Sequence, residues 1–144
     1  MKYLGIVCIF ILTATSSKSQ YREDLKWLIC MHTGKITNAE ILKNHGFTSD
    51  SLGADWKNSI TEETITFYND ATVYTSKNNL DYPTESELMG CPVHKKTTEV
   101  FEMTDQETGA EIVESISYFT CKSQCGKVKV QIKSEPGFME ISVR

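Results

Sequence analysis

From Gly126 to Lys133 apolar and polar residues alternate without a break, with Val128, Val130 and Ile132 on one side of an extended chain and Lys127, Lys129, Gln131 and Lys133 on the other. Period-two alternation is what a strand requires when one face meets a core and the other meets water. Next comes Glu135-Pro136-Gly137-Phe138, where proline presets φ at the second turn position and glycine supplies the positive φ that a type II turn needs at the third. Pairing about that turn sets Ile141 opposite Ile132 and Val143 opposite Val130, with Met139 on the same face. A tight reversal through Lys122-Ser123-Gln124 sets Tyr118 opposite Val128 and Ile116 opposite Val130, again on that face. Upstream, the polar loop Asp105 to Gly109 lays Phe101 and Met103 beside Ile112. The pattern predicts a four-stranded antiparallel meander over 97–144. Its reverse face carries Glu99, Glu102 and Glu111 beside Lys127, Lys129 and Lys133 and is expected to be solvated and laced with ion pairs, while Glu114 falls on the apolar side in this register and has no explanation there.

Nearer the amino terminus the period changes. Tyr21, Leu25, Leu28 and Ile29 recur at helical spacing and bring Cys30 to the end of a short amphipathic helix that Thr33-Gly34 stops. Thr37 and Glu40 form a capping box, Ile36 and Ile41 stand at the positions of a hydrophobic staple, and Gly46 ends the second helix. Both helices are expected to lay Leu25, Leu28, Ile29, Ile41 and Leu42 on the apolar sheet face. The stretch 48–59 reads as a turn or two of helix around Leu52 and Trp56, or as loop. Thr64 to Tyr68 and Ala71 to Thr75 alternate as strands about an Asn69-Asp70 turn and extend the meander. Ser76 to Gly90 is polar, contains Pro83, and reads as a long surface loop pinned by Cys91.

Lys2, the apolar run Leu4 to Leu12 and the small residues ending Ser17-Lys18-Ser19 have the layout of a secretory signal cleaved before Gln20. Residues 1–19 are read as that signal and 20–144 as one secreted, extracellular α+β domain. No later apolar run reaches the roughly 18 residues of a membrane span, so no membrane insertion is expected. Without Lys2 and Lys18 the mature chain has thirteen basic groups against nineteen acidic ones, a net charge of −6. That balance disfavours nucleic acid and anionic membrane as partners.

Cys8 leaves with the signal, and Cys30, Cys91, Cys121 and Cys125 are expected to form two disulfides in an oxidising compartment. Cys121 and Cys125 face each other across the expected three-residue reversal and could bond directly; alternatively each ties the sheet to Cys30 and Cys91. Cys91 and His94 with Cys121 and Cys125 also have the chemistry of a tetrahedral zinc set, against which stands the oxidising compartment. His32, His45 and His94 are the groups an acid–base hydrolase or nuclease would use, yet there is no Gly-x-Ser-x-Gly elbow and no glycine-rich phosphate loop. Trp56, Tyr74 and Tyr82 are the candidate partner contacts, being aromatic and placed near the polar loop or an ambiguous segment.

The expected fold is α+β, short N-terminal helices packed on one face of an antiparallel β-meander and stabilised by disulfides. The expected function is that of a non-catalytic secreted effector of toxin-like or signalling type, monomeric, without cofactor or metal, acting by binding a protein target. A secreted protease inhibitor of cystatin-like shape that wedges the 76–90 loop into a protease is the alternative, although the chain lacks a Gln-x-Val-x-Gly loop, Gln106-Glu107-Thr108-Gly109 being the nearest stretch, and has no late Pro-Trp pair. A small secreted hydrolase or nuclease is the third.

Overall fold

A computed structural model describes residues 25–34, 39–49, 53, 55–77 and 84–144. In chain order these form α1 (Lys26–His32), α2 (Ala39–Asn44), β1 (Thr48–Ser49), β2 (Asp55–Asn58), β3 (Glu63–Phe67), β4 (Thr72–Ser76), α3 (Glu85–Met89), β5 (Val93–Thr104), β6 (Glu111–Ser123), β7 (Gly126–Glu135) and β8 (Phe138–Val143). The eight strands make one antiparallel sheet in the order β1-β2-β3-β4-β8-β7-β6-β5, so the predicted meander β5 to β8 is present and the β3–β4 hairpin joins it through β4 and β8. The expected leader, the Tyr21 end of the first helix and the Ile36 and Thr37 cap lie outside the described residues.

One rung of the sheet shows how the core is built. Trp56 pairs with Ile65, Ile65 with Tyr74, Tyr74 with Ile141, and Ile141 with Ile132. Paired residues in an antiparallel ladder project to the same side, so this rung lays five large side chains on one face, and all five are buried. Leu28 and Ile29 of α1, Leu42 of α2 and Leu88 and Met89 of α3 belong to the same buried cluster. The rung then turns polar: Ile132 pairs with Ser117 and Ser117 with Thr98, whose hydroxyls lie 3.0 Å apart. The apolar interior therefore ends at β6. Ile41, expected in the core, is only half-buried.

The β7–β8 register is as the sequence predicts, with Ile132 opposite Ile141, Val130 opposite Val143, and Gly137 at φ +75° in the two-residue turn. The β6–β7 register is not. Tyr118 faces Gln131 and Ile116 faces Lys133, three positions from the expected partners, because the chain reverses through Gln124-Cys125 with Ser123 opposite Gly126. Ser123 Oγ accepts from the Cys125 amide at 3.1 Å and shapes this turn. An odd shift exchanges the two faces of a strand. Phe119 and Cys121 are buried in place of Tyr118 and Ile116, and Glu114 moves to the charged face, where it meets Lys133 at 2.9 Å.

Two further corrections concern short elements. Asp55–Asn58 is a strand rather than helix or loop, carried by the pairing of Trp56 with Ile65. The end of the expected 76–90 loop is α3: the Thr84 side chain accepts from the Glu87 amide at 3.2 Å, Gly90 closes the helix in the left-handed region, and Leu88 and Met89 are buried. Residues 78–83 lie outside the described residues.

Candidate functional site

All four expected cysteines are in disulfides, and the pairs are Cys30–Cys125 and Cys91–Cys121. Their Cα atoms are 5.0 and 5.9 Å apart, within the range a cystine spans. The local Cys121–Cys125 bond does not form, because the two-residue turn leaves Cys125 directed at α1 while Val93 sits opposite Cys121 and brings Cys91 to it. The zinc set considered from sequence is thereby divided between two cystines, and among the described residues no three His, Cys, Asp or Glu side chains group as metal ligands. The histidines occupy separate places. His32 Nδ1 lies 3.2 Å from Thr72 Oγ1, His45 stacks on Trp27 at 5.3 Å, and His94 is exposed on β5.

Two of the three aromatic residues expected to meet a partner face the interior. Trp56 is buried with Nε1 donating to the Gly53 carbonyl at 3.1 Å, and Tyr74 is buried with its hydroxyl donating to Glu63 Oε1 at 2.7 Å. Both belong to the rung described above, which is why neither offers a surface. Tyr82 lies outside the described residues.

Exposed apolar surface is found instead on the β5–β6 hairpin. The pairing of β6 with β7 stops at Ser115 opposite Ser134, whereas β5 and β6 continue to Thr104 opposite Glu111 and close through Asp105 to Ala110. The distal arm is thus a two-stranded ribbon with no third strand among the described residues. On it Val100 is 60% exposed, Phe101 43%, Met103 47% and Val113 48%. Alternation places Phe101, Met103 and Ile112 on one side and Val100 and Val113 on the other. In addition, β5 ends the sheet, so its outer edge has no strand partner among the described residues. The arm's tip is ordered by Asp105, whose carboxylate accepts from the amides of Glu107 and Thr108, each at 2.8 Å. Those amide bonds, Thr108 first, hold its carboxyl below the ordinary range.

The sheet face turned away from the core sorts its charges along the strands. At the β7–β8 turn end, Lys133 is surrounded by Glu114, Glu135 and Glu140, and the Glu114 hydrogen bond is the main reason its pKa is raised. Glu102 and Glu111, expected on this face, alternate to the other side. At the Cys125 end, Lys122 and Lys127 are directly opposite, and Lys129 stands across from Arg144, with which it exchanges backbone hydrogen bonds of 2.7 and 2.8 Å. A register shift between His94 and Thr97 makes a β-bulge, in which Lys95 has φ +54°. The bulge divides two adjacent lysines. Lys96 reaches Glu85 of α3 at 2.5 Å, and Lys95 joins the wall of a groove on the opposite face.

That groove encloses about 270 Å³ and is lined by Lys95, Tyr118, Thr120, Lys129, Gln131, Ser142 and Arg144, together with Phe119 and Val130, and no carboxylate side chain is among them. Ser142 is 4% exposed, and its hydroxyl has no hydrogen-bond partner among the described residues. A buried hydroxyl left in this way costs about 1–3 kcal/mol. From sequence the pairing of Lys129 with Arg144 follows once Val130 is set opposite Val143, but the contribution of Lys95 depends on a bulge that no residue pattern announces. Comparisons with family models, curated proteins and solved structures found no match for this chain.

Proposed function

We propose that the chain is a secreted, non-catalytic binding protein that engages a protein target through the distal arm of the β5–β6 hairpin. The observation that carries this reading is the apolar ribbon itself, with Val100, Phe101, Met103 and Val113 exposed on an arm that extends past the supporting sheet. Phe101 and Met103 share one side of the arm and Val100 and Val113 the other; exposed apolar side chains grouped on an ordered element are the usual mark of an interaction site, and Phe and Met are among the residues enriched at interfaces. The free β5 edge adds main-chain donors and acceptors to which an extended partner segment can add as a strand. Its first part is blunted by the bulge at Lys95, but Thr97 to Thr104 is a continuous strand without proline.

Export and the helices' placement complete the reading. The disulfides suit an oxidising compartment, and no helix among the described residues is long and apolar enough to cross a membrane. In this reading the short helices cover the inner sheet face, which the place of Leu28, Ile29, Leu42, Leu88 and Met89 in the buried cluster supports, and the hairpin arm is left to a partner. The dispersed histidines and the cystines support a role without catalysis. Replacing Phe101 by a photo-crosslinking phenylalanine analogue tests the reading: irradiation on cells that bind the protein should yield one discrete adduct, and the same analogue at Val73, on the outer face of β4, should yield none. Adducts of equal intensity from both positions would refute it.

A further inference from the structure

We propose that the groove at the Cys125 end of the outer sheet face binds a sulfate or phosphate ester carried on a sugar, with the anionic group between Lys95, Lys129 and Arg144 and the Ser142 hydroxyl beneath it. These three cations make no ion pair among the described residues, unlike Lys77, Lys96 and Lys133, each of which has a carboxylate within 3.5 Å. Charge-assisted bonds from lysine and arginine are the strongest contacts that an oxyanion ester finds on a protein. The Ser142 side chain is buried in the groove lining without a partner among the described residues. A volume of about 270 Å³ admits one charged group and a small ring but no folded chain.

Tyr118 and Gln131, opposite each other on β6 and β7, give the ring an aromatic wall and an amide able to donate and accept, as a polyhydroxylated ligand requires. Lys127 and Lys122 continue the cation row along the same face and suit a second ester group. The chain as a whole carries a net charge of −4, so attraction is confined to this end of the face, which favours a short ester over a long polyanion. Lys95 is held at the wall by a left-handed backbone conformation that lysine adopts at a cost. This site is separate from the hairpin arm and does not rest on it.

Calorimetric titration of the full chain at physiological salt tests the assignment with four probes: a heparin-derived sulfated disaccharide, its desulfated counterpart, glucose 6-phosphate and inorganic sulfate. At least one of the two esters should bind saturably, inorganic sulfate at least roughly tenfold more weakly, and the desulfated sugar not at all. Lys129→Gln combined with Arg144→Gln should weaken the ester by roughly tenfold or more and Ser142→Ala by several-fold, whereas Lys57→Gln, an exposed lysine on β2, should change nothing. Failure of both esters to bind, equal binding of inorganic sulfate or of the desulfated sugar, or equal weakening by Lys57→Gln would overturn it.

Discussion

Phe119 and its neighbour Tyr118 decide between the observed β6 register and the one that a Lys122-Ser123-Gln124 reversal implies. In the structure Phe119 is 4% exposed and faces Val130, while Tyr118 is 37% exposed and faces Gln131 on the outer side. Phe119→Ala therefore removes a ring packed in the main cluster, a change that costs about 3–5 kcal/mol from lost transfer energy and the cavity left behind. Tyr118→Ala removes a ring already partly in water and should cost about 1 kcal/mol or less. With a urea slope of about 2 kcal/mol per molar, the first variant moves the unfolding midpoint down by about 2 M and the second by about 0.5 M. Equilibrium urea unfolding with the disulfides intact, followed by the fluorescence of half-buried Trp27 and buried Trp56, reads both. A larger loss for Tyr118→Ala than for Phe119→Ala would place β6 in the other register and refute the account of the core.

Three further outcomes follow from the same geometry. Removing Cys30–Cys125 as a double alanine variant should cost more than removing Cys91–Cys121, about 4.7 against about 3.6 kcal/mol from loop-closure entropy over separations of 95 and 30 residues, with urea midpoints as the measure. Burial works to raise the Glu85 pKa, but the hydrogen bond from Lys96, together with its own backbone amide, Lys96 charge and Ser117, outweighs it and holds the carboxyl below 4.5. A lowered carboxylate contributes stability above its unfolded pKa and loses it as pH falls through the folded one; Glu85→Gln should therefore flatten the fall of melting temperature between roughly pH 5 and 3. Gly46→Ala should destabilise by more than Gly34→Ala: both glycines have positive φ, at +83° and +71°, but a Cβ at 46 would meet Asn58 Nδ2 at 2.9 Å and one at 34 would meet nothing. The strain common to both is about 1–2 kcal/mol, and thermal melts should show the added loss at 46, where Asn58 holds the His45 carbonyl at 3.1 Å and accepts from the amides of Ile60 and Thr61.

Where a strand has one apolar side and a turn of fixed chemistry, the structure could be read in advance. The β7–β8 hairpin about Pro136-Gly137 and the β3–β4 hairpin about Asn69-Asp70 are of this kind. β6 is not, because Ile112, Ile116 and Tyr118 compete with Val113, Phe119 and Cys121 for the same interior. What settles the contest lies outside the strand, in the cystines that draw Cys121 to Cys91 and Cys125 to α1. Thr84 and Glu87 do carry the spacing of a helix cap, obscured by the polar residues around them. Trp56 and Tyr74 have the chemistry of partner contacts, but they are rung neighbours of Ile65, which takes them inside. Exposure of Phe101 and Met103 could not be read from alternation, since alternation assigns a face to a side chain without saying whether anything covers it.

The most direct measurement of the claim that the hairpin arm binds the target compares cell-surface binding isotherms of Phe101→Asp and Ile60→Asp. Ile60, at 95% exposure, is the more exposed of the two but stands alone on the β2–β3 turn, whereas Phe101 belongs to the apolar arm. Burying a charge in an apolar contact costs several kcal/mol, so Phe101→Asp should reduce affinity by about a hundredfold or more while lowering the urea midpoint by only about 0.5 M, and Ile60→Asp should leave the isotherm as it is. Full-strength binding by Phe101→Asp would contradict the claim.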